Sequence, residues 1–494
     1  MQPIPSTPTP IEFGPAITRE SLLLSARLQR LPTTRYTCAV VLLLAGALSI
    51  EAFDIGSLSV ILPILKPLMD LSAVQVGLLA AASSVGLTIG MIPAGLLADR
   101  LGRKRLLIGG MLWFVGLTLV SALAPDFWTL LLLRGLSGLG MAPTFIVPYA
   151  LVSELVSSRS RAVFAGVLEA SLGIGYVAVP SLGLVVLTSL PPEIAWRVFL
   201  LIAGLPIVYV WVLWKYLPES PRWLSRTGRS DEAERIVAAI EERVERLTGA
   251  PLPEPVVTRE LETSFSGERQ RVGFRAVLEV WQPPYLVRTL AMTSGAFGTF
   301  ALFYVAVNYI PSLFAATSIG LSNAFILSLI VTSSQIPGKL LNGALSDFLG
   351  RKLTYALFAL VASVGAYFFG QSSDPIVMME WGCLFLFAAS GSAPSYKMWY
   401  TEQYPTPIRA IGLSTCEGIG GRLLGGVLWT AVFPVLVEAF GIGTTMTLIA
   451  VAGVVTLFVV IAFAPETAGR SVEELEGQTR NGLPNLVGRR RPLL

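Results

Sequence analysis

The sequence predicts an all-α integral membrane protein with twelve transmembrane helices in two pseudo-symmetric six-helix halves. Three observations carry that expectation. Of the 494 residues, 53% are hydrophobic and 14% charged, and the mean hydropathy is +0.68, a balance foreign to a water-soluble domain of this size. Apolar runs of about 20 residues, the length a helix needs to cross the hydrocarbon core, recur along the chain. Lastly, Gly95-Leu96-Leu97-Ala98-Asp99-Arg100-Leu101-Gly102-Arg103-Lys104 returns 248 residues later as Gly343-Ala344-Leu345-Ser346-Asp347-Phe348-Leu349-Gly350-Arg351-Lys352. The same displacement carries Glu154 and Arg161 onto Glu402 and Arg409, and Glu169 onto Glu417. This is a parallel internal repeat.

Taken in order, residues 1–35 form an N-terminal segment that is Pro/Thr-rich and then basic. Arg19, Arg27, Arg30 and Arg35 beside Leu22, Leu23, Leu24 and Leu28 predict a short amphipathic helix lying on a membrane surface. No signal peptide is visible. The first half, 36–217, has expected spans at 37–63, 74–98, 105–124, 128–152, 162–188 and 195–217. A hydrophilic linker, 218–287, holds one helix with apolar positions at Ile236, Val237, Ile240, Val244 and Leu247, and a plain connecting role is expected of it. The second half, 288–464, has expected spans at 288–314, 322–346, 353–371, 376–400, 410–436 and 441–463, followed by a tail, 465–494. Arg and Lys concentrate in alternate short loops, which places those loops, both termini and the linker in the cytoplasm. The location expected is therefore a cell membrane.

Cys38, Cys383 and Cys416 all lie in apolar runs and predict no disulfide framework or metal site. The chain has no histidine, so imidazole relays are excluded and a proton carrier must be a carboxylate. No metal, cofactor or nucleic acid is expected. The expected partners are a small solute, a proton and the bilayer, with the protein acting as a monomer.

Ionisable residues inside apolar runs are costly and mark pathways. Asp54 lies roughly 27 Å along its helix from Tyr36, and Arg134 roughly 9 Å from Trp128 at the other end of its own, depths at which the two can meet. Glu51, three residues before Asp54, shares nearly the same face. These three are the proton-coupling candidates; the alternative is a structural salt bridge. Arg422 falls near the midplane, with Glu169 and Glu417 at repeat-equivalent positions. Glu417 is five residues from Arg422, not the three or four that align side chains on an α-helix, so it is expected to face Glu169 instead. Should it neutralise Arg422, a polyol or an amine becomes the better cargo. Lys397 and Glu438 read as snorkelling side chains, and Lys339 stays open. Helix 7 offers Phe297, Phe300, Phe303, Tyr304, Asn308 and Tyr309 as one wall for a flat solute, or simply as packing. At the cytoplasmic loops, Asp99 near a helix end needs cationic partners, and Arg103 is read as its latch. Arg100, Glu154 and Arg161, with Asp347, Arg351, Glu402 and Arg409 of the second copy, complete the gate.

Gly95-x-x-x-Asp99-Arg100-x-Gly102-Arg103-Lys104 resembles the signature loop of the major facilitator superfamily. Arg134-Gly135-x-x-Gly138-x-Gly140 is similar to its helix 4 motif. Pro218-Glu219-Ser220-Pro221-Arg222 and Pro465-Glu466-Thr467-x-Gly469-Arg470 resemble the paired motifs of its sugar porters. Arg27-Leu28-Gln29-Arg30-Leu31-Pro32, followed by Glu51-Ala52-Phe53-Asp54, is similar to the niacin-type metabolite branch, and the spacing of Glu51 and Asp54 resembles the Asp-Gly-x-Asp of aromatic-acid:proton symporters. Sugar porters carry a glutamine where this chain has Glu169 and a Gln-Gln pair in helix 7 that is missing here, which disfavours a hexose. The Gly-Pro signature of drug:proton antiporters is missing from helix 5.

The resemblance implies a secondary transporter, expected to symport a proton with a small organic anion of the nicotinate kind by alternating access. Its carboxylate is expected at Arg422, since a guanidinium near the midplane needs an anion and its planar fork suits a carboxylate. The alternatives are a sugar, polyol or organic-cation transporter of the same fold and a non-transporting substrate sensor. A membrane enzyme is disfavoured by the lack of histidine and of a sizeable soluble domain.

Overall fold

In hydrocarbon a lone segment satisfies its backbone N–H and C=O groups only within itself, so each apolar run is constrained to be helical. The computed structural model describes residues 19–257, 274–317, 319–404 and 408–467, and every regular element among them is a helix. A short α1 (Arg19–Gln29) precedes α2 (Arg35–Leu68), α3 (Ala73–Leu101), α4 (Arg103–Ser121), α5 (Phe127–Leu155) and α6 (Ser158–Val186). The sixth span is broken into α7 (Pro192–Gly204) and α8 (Ile207–Tyr216) at Pro206, which has no N–H to continue the ladder. The linker holds α9 (Pro221–Arg226), α10 (Ser230–Thr248) and α11 (Phe274–Glu279).

The second half begins with α12 (Leu286–Ala315). Its next span is α13 (Leu321–Ser333) with α14 (Gln335–Leu349), followed by α15 (Arg351–Gln371) and then α16 (Pro375–Gly391) with α17 (Ala393–Glu402). It ends with α18 (Arg409–Cys416), a π-helical stretch Glu417–Leu428 and α19 (Trp429–Phe463). Among the described residues, eleven helices are long and apolar enough to span a bilayer, the last covering Ile411–Phe463. Gly441 folds that last one back with φ 78°, so it supplies two spans, and the expected twelve crossings stand.

The repeat is visible in the turns. Gly102 and Gly350 stand at φ 97° and 92°, in the left-handed region that glycine tolerates, and let one helix pass directly into the next at the equivalent place in each half. Between halves the packing is close on the side away from these basic loops. A Cβ built at Gly77 on α3 falls 2.0 Å from the backbone oxygen of Ala431 on α19. Deeper in, the rings of Tyr176 and Phe303 meet edge-on at 5.8 Å.

The N-terminal helix departs from expectation. Leu22, Leu24 and Leu28 of α1 are buried, and Leu24 and Leu28 join Trp223, Leu224, Ala233, Val237, Ile240 and Val244 in a small core. The face read as a membrane anchor is therefore spent on protein. Its partner is the apolar stripe of α10, and burying each leucine is worth about 1.5–3 kcal/mol. Arg27 contacts Glu241 and Glu234 at 2.5 Å each, and Arg30 contacts Glu241 at 2.6 Å. The described part of the linker thus forms, with α1, a docked helical platform.

Candidate functional site

Arg134 on α5 is fully buried, and its guanidinium is nearly enclosed by the first half. Nη1 donates to Asp54 Oδ1 at 3.0 Å and to the Thr118 hydroxyl at 3.2 Å. Nη2 donates to the Asp54 carbonyl at 2.8 Å. Thr118 in turn donates to Asp54 Oδ1 at 2.8 Å. The two depths counted from sequence do meet. Asp54 Oδ2 is left with no hydrogen-bond partner, an open position on an otherwise fixed carboxylate. Glu51, one turn earlier, does not share the cluster: it is 1% exposed, its Oε2 has no partner, and it lines a separate cavity.

That cavity lies between the halves at mid-depth and has about 660 Å³ of empty volume, its open mouth included. Six acidic or basic side chains line it: Glu51, Glu169, Lys339, Lys397, Glu417 and Arg422. Arg422 is 4% exposed, lies 4.1 Å from the Phe145 ring centre, and has an unpartnered Nε. Its Nη2 is 3.5 Å from Glu417 Oε1. This corrects the expected separation of Glu417 from Arg422. The segment carrying both is π-helical, so i and i+5 become the hydrogen-bonding spacing and the two side chains share a face. Glycine also brings this segment close to α12: a Cβ at Gly420 would stand 2.0 Å from the Thr293 carbonyl oxygen.

On α12 the structure selects among the expected wall residues. Tyr304 lines the cavity with Thr299, Phe300 and Phe303, but Phe297 and Asn308 do not. Phe297 packs edge-on against Trp429 at 6.1 Å, and Asn308 is buried with its amide donating to the Tyr304 carbonyl. At about 100° per residue, both sit roughly 90° or more round the helix from the mid-line of the four lining residues. Tyr309 donates to the Thr430 carbonyl at 2.6 Å and is packing.

Lys397 also departs from expectation. It does not snorkel but lies in the cavity, paired with Glu169, whose Oε1 also accepts from Tyr149 at 2.7 Å. Lys339 Nζ donates to the Glu169 backbone carbonyl at 2.9 Å. The signal for Lys397 was present in the repeat, because it is the 248-residue counterpart of Tyr149.

At the basic loops, Arg103 Nη2 meets Asp99 at 3.0 Å and its Nε is 3.4 Å from Glu154, while Nη1 donates to the Ala98 carbonyl at 2.8 Å. The copy repeats this: Arg351 Nη1 donates to Ser346 O at 2.9 Å, and its Nε is 3.7 Å from Glu402. Glu219 accepts from the Lys104 backbone N–H, and Glu466 accepts from those of Arg351 and Lys352, so the paired acidic motifs cap α4 and α15. Asp99 and Glu154 belong to the first half and Glu402 to the second, while Glu219 and Glu466 come from the segments that directly follow each half, so each cluster fastens one half to itself and to the segment that follows it. Arg100 is exposed and stands outside the cluster. Arg161 is half-buried, and burial lowers its guanidinium from the ordinary value. The side chains of Asp347 and Arg409 lie outside the described residues.

A family model for the Major Facilitator Superfamily matches residues 44–405. The chain is 29% identical over 458 residues to a niacin transporter, NiaP, of Acinetobacter baylyi, covering 92% of this chain and 99% of that one. It is 27% identical over 413 residues to the 4-hydroxybenzoate transporter PcaK of Pseudomonas putida, covering 82% and 88%. Among solved structures, the xylose transporter XylE of E. coli in a partially occluded inward-open conformation superposes with a TM-score of 0.72 at 19% identity, covering 89% of this chain and all of that one, a likeness of fold. Repeat, cavity between halves and family match converge: this chain is a multi-pass membrane protein and belongs to the major facilitator superfamily of transporters.

Proposed function

We propose that the protein symports a proton with a small organic anion, an aromatic or heteroaromatic monocarboxylate of the nicotinate kind, by alternating access across a cell membrane with both termini cytoplasmic. The observation that carries this reading is Arg422, a guanidinium at mid-depth that lines the cavity and stacks on Phe145, whose Nε has no partner and whose Nη2 has only a 3.5 Å contact with Glu417 among its donors. A carboxylate supplies what those donors lack, and Phe300, Phe303 and Tyr304 offer a ring its apolar wall. The likeness to transporters named for niacin and 4-hydroxybenzoate supports the same class. Asp54, with Arg134 as its counter-charge, is the proposed proton site, and Glu51, one turn earlier and facing the cavity, is proposed as a second carboxylate in the coupling. The clusters around Arg103 and Arg351 are proposed to stiffen each half at the cytoplasmic gate.

The Glu417 contact favours a second reading, since it offsets part of the Arg422 charge and leaves room for a polyol or amine. It is one contact of 3.5 Å to one terminal nitrogen, beyond the usual length of a charge-assisted hydrogen bond, so the anion reading stands first. Thermal stabilisation of the purified native and Arg422→Lys proteins by acids, amines and sugars decides between them. Acids should stabilise the native protein. Arg422→Lys keeps the charge and loses the fork, and should raise the concentration of acid for half-maximal uptake about ten-fold, near the worth of one charge-assisted bond. Selective stabilisation by amines or sugars, indifferent to the substitution, overturns the anion reading.

A further inference from the structure

We propose that Glu169 stands in for the cargo carboxylate: in the empty cavity it occupies Lys397 and so ties the halves together, and an arriving organic anion takes Lys397 from it. The inference rests on the anion reading above.

Three donors converge on this one residue. Tyr149, from the first half, and Lys397, from the second, both donate to Oε1, and they are the same position in the two repeats. Lys339, also from the second half, holds the Glu169 backbone carbonyl. Glu169 itself belongs to the first half, so both lysine contacts cross the seam between halves, and all three of Glu169, Lys339 and Lys397 line the cavity. Lys397 and Arg422 flank a single ring, at 5.8 and 4.1 Å from the centre of Phe145. An anion bound to Arg422 therefore arrives beside Lys397.

The exchange is of like for like. A half-buried lysine inside the membrane span is costly to leave without a partner, and replacing one carboxylate by another keeps it paired throughout. The remaining charged groups around the cavity, Glu51 on α2 and Glu417 beside Arg422, do not contact Lys397 within ion-pair distance. Binding then carries a mechanical consequence. The Glu169–Lys397 bond between halves persists only while no anion is present, so occupancy of the site biases the equilibrium of the two halves by the difference in affinity between the clasped and released states. The empty transporter is held; the loaded one is freed to move.

The test uses the full chain, with nicotinate and benzoate as probes, measuring binding by calorimetry and exchange in proteoliposomes. Glu169→Gln removes the competitor, so acids should bind at least about five-fold more tightly, within the usual range of coupling between sites, while the maximal exchange rate falls. Lys397→Gln should weaken acid binding by about ten-fold or more. Glu169→Asp, a shorter carboxylate, should lie between native and Glu169→Gln, and with Lys397→Gln it carries the test if Glu169→Gln does not fold. A merely structural role for Glu169 would leave binding unchanged or weaker. Unchanged or weakened binding in the Glu169 variants, or unchanged binding in Lys397→Gln, overturns the clasp and leaves the anion reading intact so long as Arg422→Lys still weakens acids. Native protein that binds neither acid overturns both.

Discussion

Asp54 has one oxygen committed to Arg134 and Thr118 and one with no partner, and that asymmetry is what a proton carrier requires. Under the proposed symport, a proton on Oδ2 would cancel the charge that Arg134 faces and weaken their pairing, which would free the arginine to follow the moving helices. Asparagine keeps the hydrogen-bonding oxygen and cannot titrate. Asp54→Asn should therefore abolish accumulation driven by an imposed pH gradient while exchange of labelled for unlabelled solute survives; full accumulation would refute the assignment. This pair was legible in the sequence because helix depth is a matter of counting. The contact of Glu417 with Arg422 was not, since the rule that i and i+4 align holds only where the helix is α, and the π-helical turn over Glu417–Leu428 leaves no mark in residue spacing. Phe297 and Asn308 were misplaced for a related reason: aromatic and amide side chains mark a helix as notable without fixing which sector faces the cavity.

At the level of elements, the platform of α1 and α10 shows where periodicity informs and where it stops. The apolar stripe of α10 was readable from its spacing. Its partner was not, because α1 lies more than 200 residues away in sequence and carries a face equally suited to lipid. The charges settle the choice. Burial alone raises the Glu241 carboxyl, but hydrogen bonds from Arg27 and Arg30 outweigh it and hold the group below its ordinary value. A carboxyl depressed in the folded state adds stability above its unfolded value, near 4.3, and that contribution is lost as pH falls through the lower, folded value. Glu241→Gln should remove it at neutral pH. Trypsin should then cut after Arg27 and Arg30 at least about ten-fold faster than in the native protein, since glutamine leaves neutral hydrogen bonds of about 0.5–1.5 kcal/mol in place of two charge-assisted ones of about 1.5–3 kcal/mol each. Equal cleavage rates would mean that the apolar contacts of Leu24 and Leu28 hold α1 unaided.

For the whole molecule the repeat was the informative feature of the sequence: it predicted two halves, and the structure reproduces even the Arg103 and Arg351 bonds at matched positions. The conformation was not legible, because the charges at the basic loops are fixed in the sequence whichever way the seam leans. The packing supplies what the sequence lacks. With α3 and α19 so close that a Cβ at Gly77 would overlap the Ala431 oxygen, the seam is shut on the side opposite the basic loops, and only glycine permits that approach. A side chain there opposes this state and leaves the alternative one, in which the two helices separate, untouched. Overpacking of this kind costs about 1–3 kcal/mol, enough to shift a two-state balance roughly five- to 150-fold. Gly77→Val should therefore hold the transporter open on that side. A cysteine introduced at Thr299, on the cavity wall, should react faster with an impermeant thiol reagent added opposite the basic loops, and exchange across the membrane should be lost because the cycle no longer returns. Labelling and exchange both at native rates would mean that the Gly77 contact is not what closes the seam.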